Sequence, residues 1–159
     1  MQIKTSRLIK GLLTGLLLLS CVSVYHAAND TRFTLKNGVI YDAILGLQWA
    51  PAPDREINQY QAEEYVESLN RAGARSLGLA GGGWRLPTRS ELKSIYDPTK
   101  PGGADPGFKI NGKWVWTSEV YTDDPSLAWL FFFPTGHEYS YYRDYSNYFT
   151  RVLAVRSRR

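Results

Sequence analysis

Short apolar runs separated by turn residues predict β-strands at the start of the globular part of the chain. Apolar residues flank Asn37-Gly38, and this pair is a strong hairpin signal because both residues tolerate a positive φ. The segment from Leu45 to Trp49 alternates apolar and polar residues, which predicts a further short strand. Pro51 and Pro53 would end that strand. We therefore expect a hairpin followed by a third strand.

A first helix is predicted directly after these strands. Asn58 and Gln61 have the spacing of a capping box, in which each side chain pairs with a backbone N–H of the other residue. Apolar residues then recur at helical spacing up to Gly73. This helix should begin after Asn58.

A second helix is predicted from about Arg89 to Tyr96. Pro87 fixes its own φ and disfavours helix in the residue before it, so a helix must begin later. Thr88 and Glu91 then form a second capping box. The following segment, Thr99 to Gly107, is rich in proline and glycine and predicts an irregular surface loop.

The last third of the chain is aromatic and β-rich, and it predicts the central strands. These should lie at Trp114 to Thr117, Ala128 to Phe133 and Tyr148 to Val155. Pro134-Thr135-Gly136 supplies a turn into another strand that begins near Glu138. The predicted fold class is α+β, with two helices packed on a twisted, mostly antiparallel sheet and with the N- and C-terminal strands close together.

The first residues have the layout of a secretory signal peptide. Lys4, Arg7 and Lys10 precede an apolar run from Gly11 to Leu19, which is shorter than the roughly 20 residues that a spanning helix needs. We expect a signal peptide over residues 1–23, a short tether over 24–32 and one domain over 33–159. The protein should be exported, and its location would be periplasmic, outer-membrane-tethered or extracellular.

Cys21 is the only cysteine, so the sequence predicts no intramolecular disulfide. Leu18-Leu19-Ser20-Cys21 resembles a bacterial lipobox, which would make Cys21 a lipidation site and the protein a lipoprotein. The alternative is ordinary cleavage after Ser23 or near Ala28. A lipid anchor is the only membrane association that we expect.

The net charge of the chain says little about its partners. The formal charge is +4, but three positive charges lie in the leader, and removing them leaves 16 basic against 15 acidic residues. A net charge this close to zero does not predict nucleic-acid binding.

The best candidate binding segment runs from His137 to Tyr148 and holds five tyrosines in twelve residues. Tyrosine combines an apolar ring face, which can lie on a sugar, with a hydroxyl that can bind the sugar's polar edge. The candidate ligand-binding residues here are Tyr139, Tyr141, Tyr142, Arg143 and Tyr145. The alternative is that alternate tyrosines pack the inner face of a strand. Most of the tryptophans are expected in the core, namely Trp84, Trp114, Trp116 and Trp129.

Basic residues at the C-terminus form a second candidate surface, which could bind sulfate groups through bidentate contacts. They are Arg156, Arg158 and Arg159, with Lys109 or Lys113 as neighbours. In a continuous strand Arg151 and Arg156 would point to opposite faces, because five is an odd separation. The alternative is a solvated basic tail.

Neither a metal site nor a catalytic site is expected. The carboxylates that could bind calcium do not have the spacing of a calcium loop; they are Asp97, Asp105, Asp123, Asp124 and Glu119. Calcium is thus a minor alternative to having no cofactor. The two histidines, His26 and His137, lie in no recognisable catalytic arrangement, so we expect the protein not to be an enzyme.

A series of short motifs resembles the Lcl C-terminal domain family, in the order in which that family has them. The matching pieces are Phe33 to Asp42, Leu45 to Ala50, Trp84-Arg85-Leu86-Pro87-Thr88, Phe108, Val115 to Ser118, Ala128-Trp129, Pro134-Thr135-Gly136 and Val155-Arg156. The resemblance implies a bacterial extracytoplasmic domain with a C-type-lectin-like fold and, for one branch of the family, binding of sulfated glycans. We therefore expect a non-catalytic binding module for a glycan or a sulfated polysaccharide. The alternative is an envelope lipoprotein that serves as a protein-interaction or structural module.

Overall fold

The computed structural model describes residues 32–71, 82–111, 113–147 and 149–158. The predicted signal peptide, the Cys21 lipidation site and nearly all of the tether lie outside these residues, as do Tyr148 and Arg159. In the part that is described, no helix is long and apolar enough to cross a membrane.

In the described residues, besides two 3-10 turns at Pro101–Gly103 and Pro106–Phe108, the regular elements comprise two α-helices and eight short strands. In chain order they are β1 (Phe33–Lys36), β2 (Val39–Asp42), β3 (Leu47–Ala50), α1 (Gln59–Asn70), α2 (Arg89–Ile95), β4 (Trp114–Val120), β5 (Leu127–Phe132), β6 (His137–Tyr142), β7 (Thr150–Arg151) and β8 (Ala154–Ser157). The predicted α+β class is confirmed.

The strands form two four-stranded sheets, where a single sheet was expected. The first sheet has the order β1-β2-β3-β8 and is antiparallel throughout. The second has the order β6-β5-β4-β7, and only β7 runs parallel to its neighbour. Since β8 pairs with β3, the expected closeness of the N- and C-terminal strands is confirmed.

The predicted strand from Tyr148 to Val155 is wrong as a single element. The chain leaves the second sheet after β7 and enters the first sheet as β8. Val152 and Leu153 lie between them and are fully buried, and the strand is interrupted here because the chain crosses from one sheet to the other. The parity argument that separated Arg151 from Arg156 therefore does not apply.

Both predicted capping boxes are present. The Asn58 side chain accepts from the Gln61 N–H, and the Gln61 side chain accepts from the Asn58 N–H. Thr88 and Glu91 repeat the arrangement at the start of α2. Each helix consequently begins at the residue that its sequence signal predicts.

The core has two apolar layers, one associated with each helix. Val66 and Leu69 of α1 belong to a layer that includes Trp116 of β4. Leu92 of α2 belongs to the other layer, together with Phe131 of β5. Strand β6 lies at the edge of the second sheet, and most of its side chains are exposed.

Candidate functional site

An aromatic strip, formed by Trp114, Phe132, Tyr139 and Tyr141, crosses one face of the second sheet. Trp114 of β4 lies opposite Phe132 of β5, and their rings stack with centroids 4.2 Å apart. Tyr139 of β6 places its ring edge-on to Trp114 at 5.0 Å. Tyr139 and Tyr141 share this face because they are two residues apart on one strand. Each is 44% exposed, so the strip is open to solvent.

A small cleft of about 120 Å³ adjoins the strip. It is lined by Trp114, Leu130, Tyr141, Tyr145, Asn147 and Thr150. The Tyr141 and Tyr145 rings lie 4.2 Å apart at an angle of 37°, which places Tyr145 on the same side as Tyr141. Three of the predicted tyrosines thus meet around one surface, and Trp114 joins them.

The polar wall of the cleft is held by local hydrogen bonds. Asn147 Nδ2 donates to Tyr145 Oη at 2.6 Å, and the buried Thr150 hydroxyl donates to the Asn147 carbonyl at 2.9 Å. The Phe149 N–H donates to Asn147 Oδ1 at 2.9 Å. These bonds tie Asn147 to Tyr145, Phe149 and Thr150, so the Asn147 amide keeps a defined position beside the rings.

Tyr142 lies on the opposite face of the sheet from Tyr141. It is paired in register with Leu127 and is 60% exposed. That face also carries Trp129, over which the Arg89 guanidinium lies at 4.3 Å, and Arg89 forms ion pairs with Glu119 and Glu138. The predicted tyrosine segment is therefore divided between two surfaces.

The Arg143 side chain contacts helix α1. Its Nε donates to Gln59 Oε1 at 2.7 Å, and its Nη2 lies 3.1 Å from Glu63 Oε1. The guanidinium also lies over the Tyr60 ring at 4.4 Å. These contacts give Arg143 a bracing role between the helix and the loop after β6.

The basic C-terminal residues lie at the first sheet, away from the aromatic strip in the topology. Arg156 stacks over Trp84 at 4.2 Å and donates from Nε to Gln48 Oε1 at 2.8 Å. Arg158 is exposed just after β8. Lys113, a suggested neighbour of this cluster, instead places its ammonium over the Phe149 ring at 4.7 Å.

Two of the candidate calcium ligands, Asp97 and Asp124, are engaged in local hydrogen bonds. Asp97 accepts from the Thr99 hydroxyl and Asp124 from the Ser126 hydroxyl, and these bonds hold the pKa of both carboxyls below its ordinary value. Within the described ranges, no group of three histidine, cysteine or carboxylate side chains is placed to hold a metal ion. His137 has Nδ1 2.9 Å from the hydroxyl of Thr135.

The tryptophans divide between core and surface. Trp84 and Trp116 are buried, as expected for scaffold residues. Trp114 and Trp129 are only partly buried, although Trp114 packs against the core layer that holds Trp116. The alternation Trp114-Val115-Trp116 indicates that both tryptophans share a face. It does not show that Trp116 is fully buried while Trp114 is only partly buried.

Two comparisons with known proteins bear on the chain. The model of the Lcl C-terminal domain matches residues 38–156 of the 159, a span that holds the aromatic strip, the cleft and both helices. No curated protein matches the chain. Because the family model covers well over half of the sequence, the chain belongs to the Lcl C-terminal domain family.

Proposed function

We propose that the protein is a non-catalytic, extracytoplasmic binding module that binds glycans on the aromatic strip of its second sheet. In this proposal the arrangement of two helices and two sheets is a C-type-lectin-like fold that supports the strip. The observation that carries it is the meeting of Trp114, Tyr141 and Tyr145 around one open cleft.

Aromatic rings suit sugars because their faces can lie against the apolar C–H face of a sugar ring. Tyrosine adds a hydroxyl that can bond to the sugar's polar edge. Tyr145 presents such a hydroxyl beside the amide of Asn147. The strip therefore offers stacking surface and directed hydrogen bonds within one site.

The size of the cleft favours a ligand that lies on the surface. Its volume of about 120 Å³ is well below the roughly 300–1,000 Å³ typical of pockets that enclose a small molecule. A ring or chain end of a larger glycan could rest there while the remainder stays in solvent. One such contact is weak, so display of several copies should strengthen binding by avidity.

The test uses two neighbouring tyrosines as a matched pair. The protein, purified as the cell exports it, is applied to a glycan array as wild type, Tyr141→Ala and Tyr142→Ala. Tyr141→Ala should weaken glycan binding about tenfold, because loss of one stacking contact removes up to about 1.4 kcal/mol. Tyr142→Ala should leave binding unchanged, since that side chain lies on the other face.

Either of two results would contradict the proposal. Equal losses in both variants would place the ligand away from the strip. An array without any bound glycan would favour the alternative, an envelope protein that interacts with other proteins.

A further inference from the structure

We infer that the cleft takes an uncharged sugar ring, so that the glycans bound by this chain are neutral and binding needs no sulfate group. This inference rests on the proposed glycan function and specifies its ligand class. It follows from the charges in and around the cleft.

The cleft lining itself carries no charge. Among the described residues, its six members are two tyrosines, a tryptophan, a leucine, an asparagine and a threonine. A sulfate or carboxylate group on a sugar is bound most strongly by arginine or lysine, through charge-assisted hydrogen bonds. Bringing such an anion against uncharged walls removes its water without supplying that partner. The lining thus favours a ring that carries only hydroxyl groups.

Arg143 lies two residues before Tyr145, and its charge is already compensated. Glu63 accepts from Arg143 Nη2 through both carboxylate oxygens, at 3.1 and 3.2 Å. Gln59 accepts from Nε, and the guanidinium plane lies on Tyr60. A sulfate near Arg143 would meet a guanidinium that the Glu63 carboxylate already neutralises, so this arginine adds little attraction for an anion.

The hydrogen-bonding groups of the cleft match hydroxyl groups. Tyr145 Oη accepts from Asn147 Nδ2 and still has its own hydrogen to donate. The Asn147 amide nitrogen has two hydrogens, of which this bond uses one. A sugar hydroxyl can both accept and donate, so it can pair with either group.

Lys113 is the cation that could instead favour a sulfated ligand at this surface. Its ammonium lies over Phe149, in the loop that holds Asn147. If a sulfate bound there, the contribution of Lys113 would be large and sensitive to salt. The experiment therefore includes a variant that removes this charge.

The experiment measures binding of the full exported protein to polysaccharides immobilised as matched pairs, each unsulfated and chemically sulfated. Binding is compared at low salt and at about 1 M salt, where interactions between charges are screened beyond roughly 3 Å. The variants are Trp114→Ala, Tyr145→Phe, Lys113→Gln and Arg158→Ala. Tyr145→Phe removes only a hydroxyl and should fold even if Trp114→Ala does not.

The inference predicts binding to at least one unsulfated polysaccharide, with less than a twofold change in affinity at high salt. Tyr145→Phe should weaken this binding about fivefold, as loss of one net hydrogen bond does. Lys113→Gln and Arg158→Ala should bind as the wild type does.

Two outcomes would overturn the inference of a neutral ligand, and only the second would also contradict the proposed glycan function. Binding confined to the sulfated members, lost at high salt and reduced by Lys113→Gln or Arg158→Ala, would refute the neutral ligand but keep the glycan function. Absence of binding to every member of every pair would refute both.

Discussion

Arg143 and Glu63 form an ion pair that joins the loop after β6 to helix α1, with Nη2 3.1 Å from Oε1. A second link lies beside it, because the Gln59 N–H donates to the Arg143 carbonyl at 2.9 Å. Tyr145 follows two residues later and lines the cleft. The position of the cleft wall therefore depends on the start of α1, although no α1 residue lines the cleft.

Arg143→Ala should lower the free energy of unfolding by about 2 kcal/mol and weaken glycan binding as well. The variant leaves Oε1 of the fully buried Gln59 without its charged donor, and such an unpaired group costs about 1–3 kcal/mol. Urea denaturation measures the first effect, with the exposed Arg158→Ala as control. Unchanged stability together with lost binding would instead make Arg143 a ligand contact.

Gly103→Ala should lower the free energy of unfolding by more than 3 kcal/mol. Gly103 has φ +82°, and a Cβ there would overlap the Phe133 carbonyl oxygen and lie 2.7 Å from its carbon. The control is Gly46→Ala, since Gly46 has φ +64° with nothing within 4 Å. In that variant the free energy of unfolding should fall only by the roughly 1–2 kcal/mol that a left-handed backbone conformation costs a residue with a Cβ. Thermal denaturation compares the two, and equal losses would show that crowding at Gly103 contributes nothing.

Predictions from local sequence signals were accurate because the interactions behind them are local. Each capping box joins residues three apart, so Asn58 and Thr88 could be assigned as helix starts without knowledge of the fold. The Asn37-Gly38 hairpin was found for the same reason, and both residues have positive φ. The strand predicted from Leu45 to Trp49, in contrast, begins only at Leu47. Leu45 lies in the preceding turn and is 43% exposed.

Predictions that depended on distant contacts failed where a different element decides the outcome. The loop from Thr99 to Gly107 was expected on the surface, yet Gly103 and Ala104 are buried, and Gly103 lies against the Phe133 carbonyl far along the chain. Trp114 was expected in the core; it packs against one core layer, but it is only partly buried and also lines the cleft. Sequence alternation identified the shared face of Tyr139 and Tyr141, but that these two rings stay 44% exposed depends on contacts between distant elements.

Two substitutions of Glu91 should separate its capping bond from its ion pair. The carboxylate accepts from the Thr88 N–H at 2.8 Å and from Arg85 Nη2 at 2.6 Å. Glu91→Gln keeps an acceptor for Thr88, so the free energy of unfolding should fall by about 1 kcal/mol or less, as for a partly exposed ion pair. Glu91→Ala loses both interactions, so its free energy of unfolding should fall by about 2 kcal/mol. Equal values in urea denaturation would mean that the cap contributes no stability.

Asp42 couples the stability of the first sheet to pH. Its buried carboxylate accepts from Arg32 Nη2 at 2.9 Å and from the Ile44 and Leu45 amides at 3.0 and 3.1 Å. Burial alone would raise the pKa of Asp42, but the hydrogen bonds from Arg32 and the two amides outweigh it and hold that pKa below the ordinary value. The folded protein therefore binds this proton less readily than the unfolded chain does.

The stabilisation by Asp42 should be complete above the unfolded pKa of about 3.9 and should be lost as the pH falls below it through the lower folded pKa. Asp42→Asn should reduce the free energy of unfolding by about 3 kcal/mol at neutral pH, because Arg32 loses its buried partner. Below pH of about 4 the variant should show a shallower fall in stability than the wild type. Urea denaturation at a series of pH values measures both effects, with the exposed Asp123→Asn as control. Parallel curves for wild type and Asp42→Asn would show that another carboxyl sets the acid sensitivity.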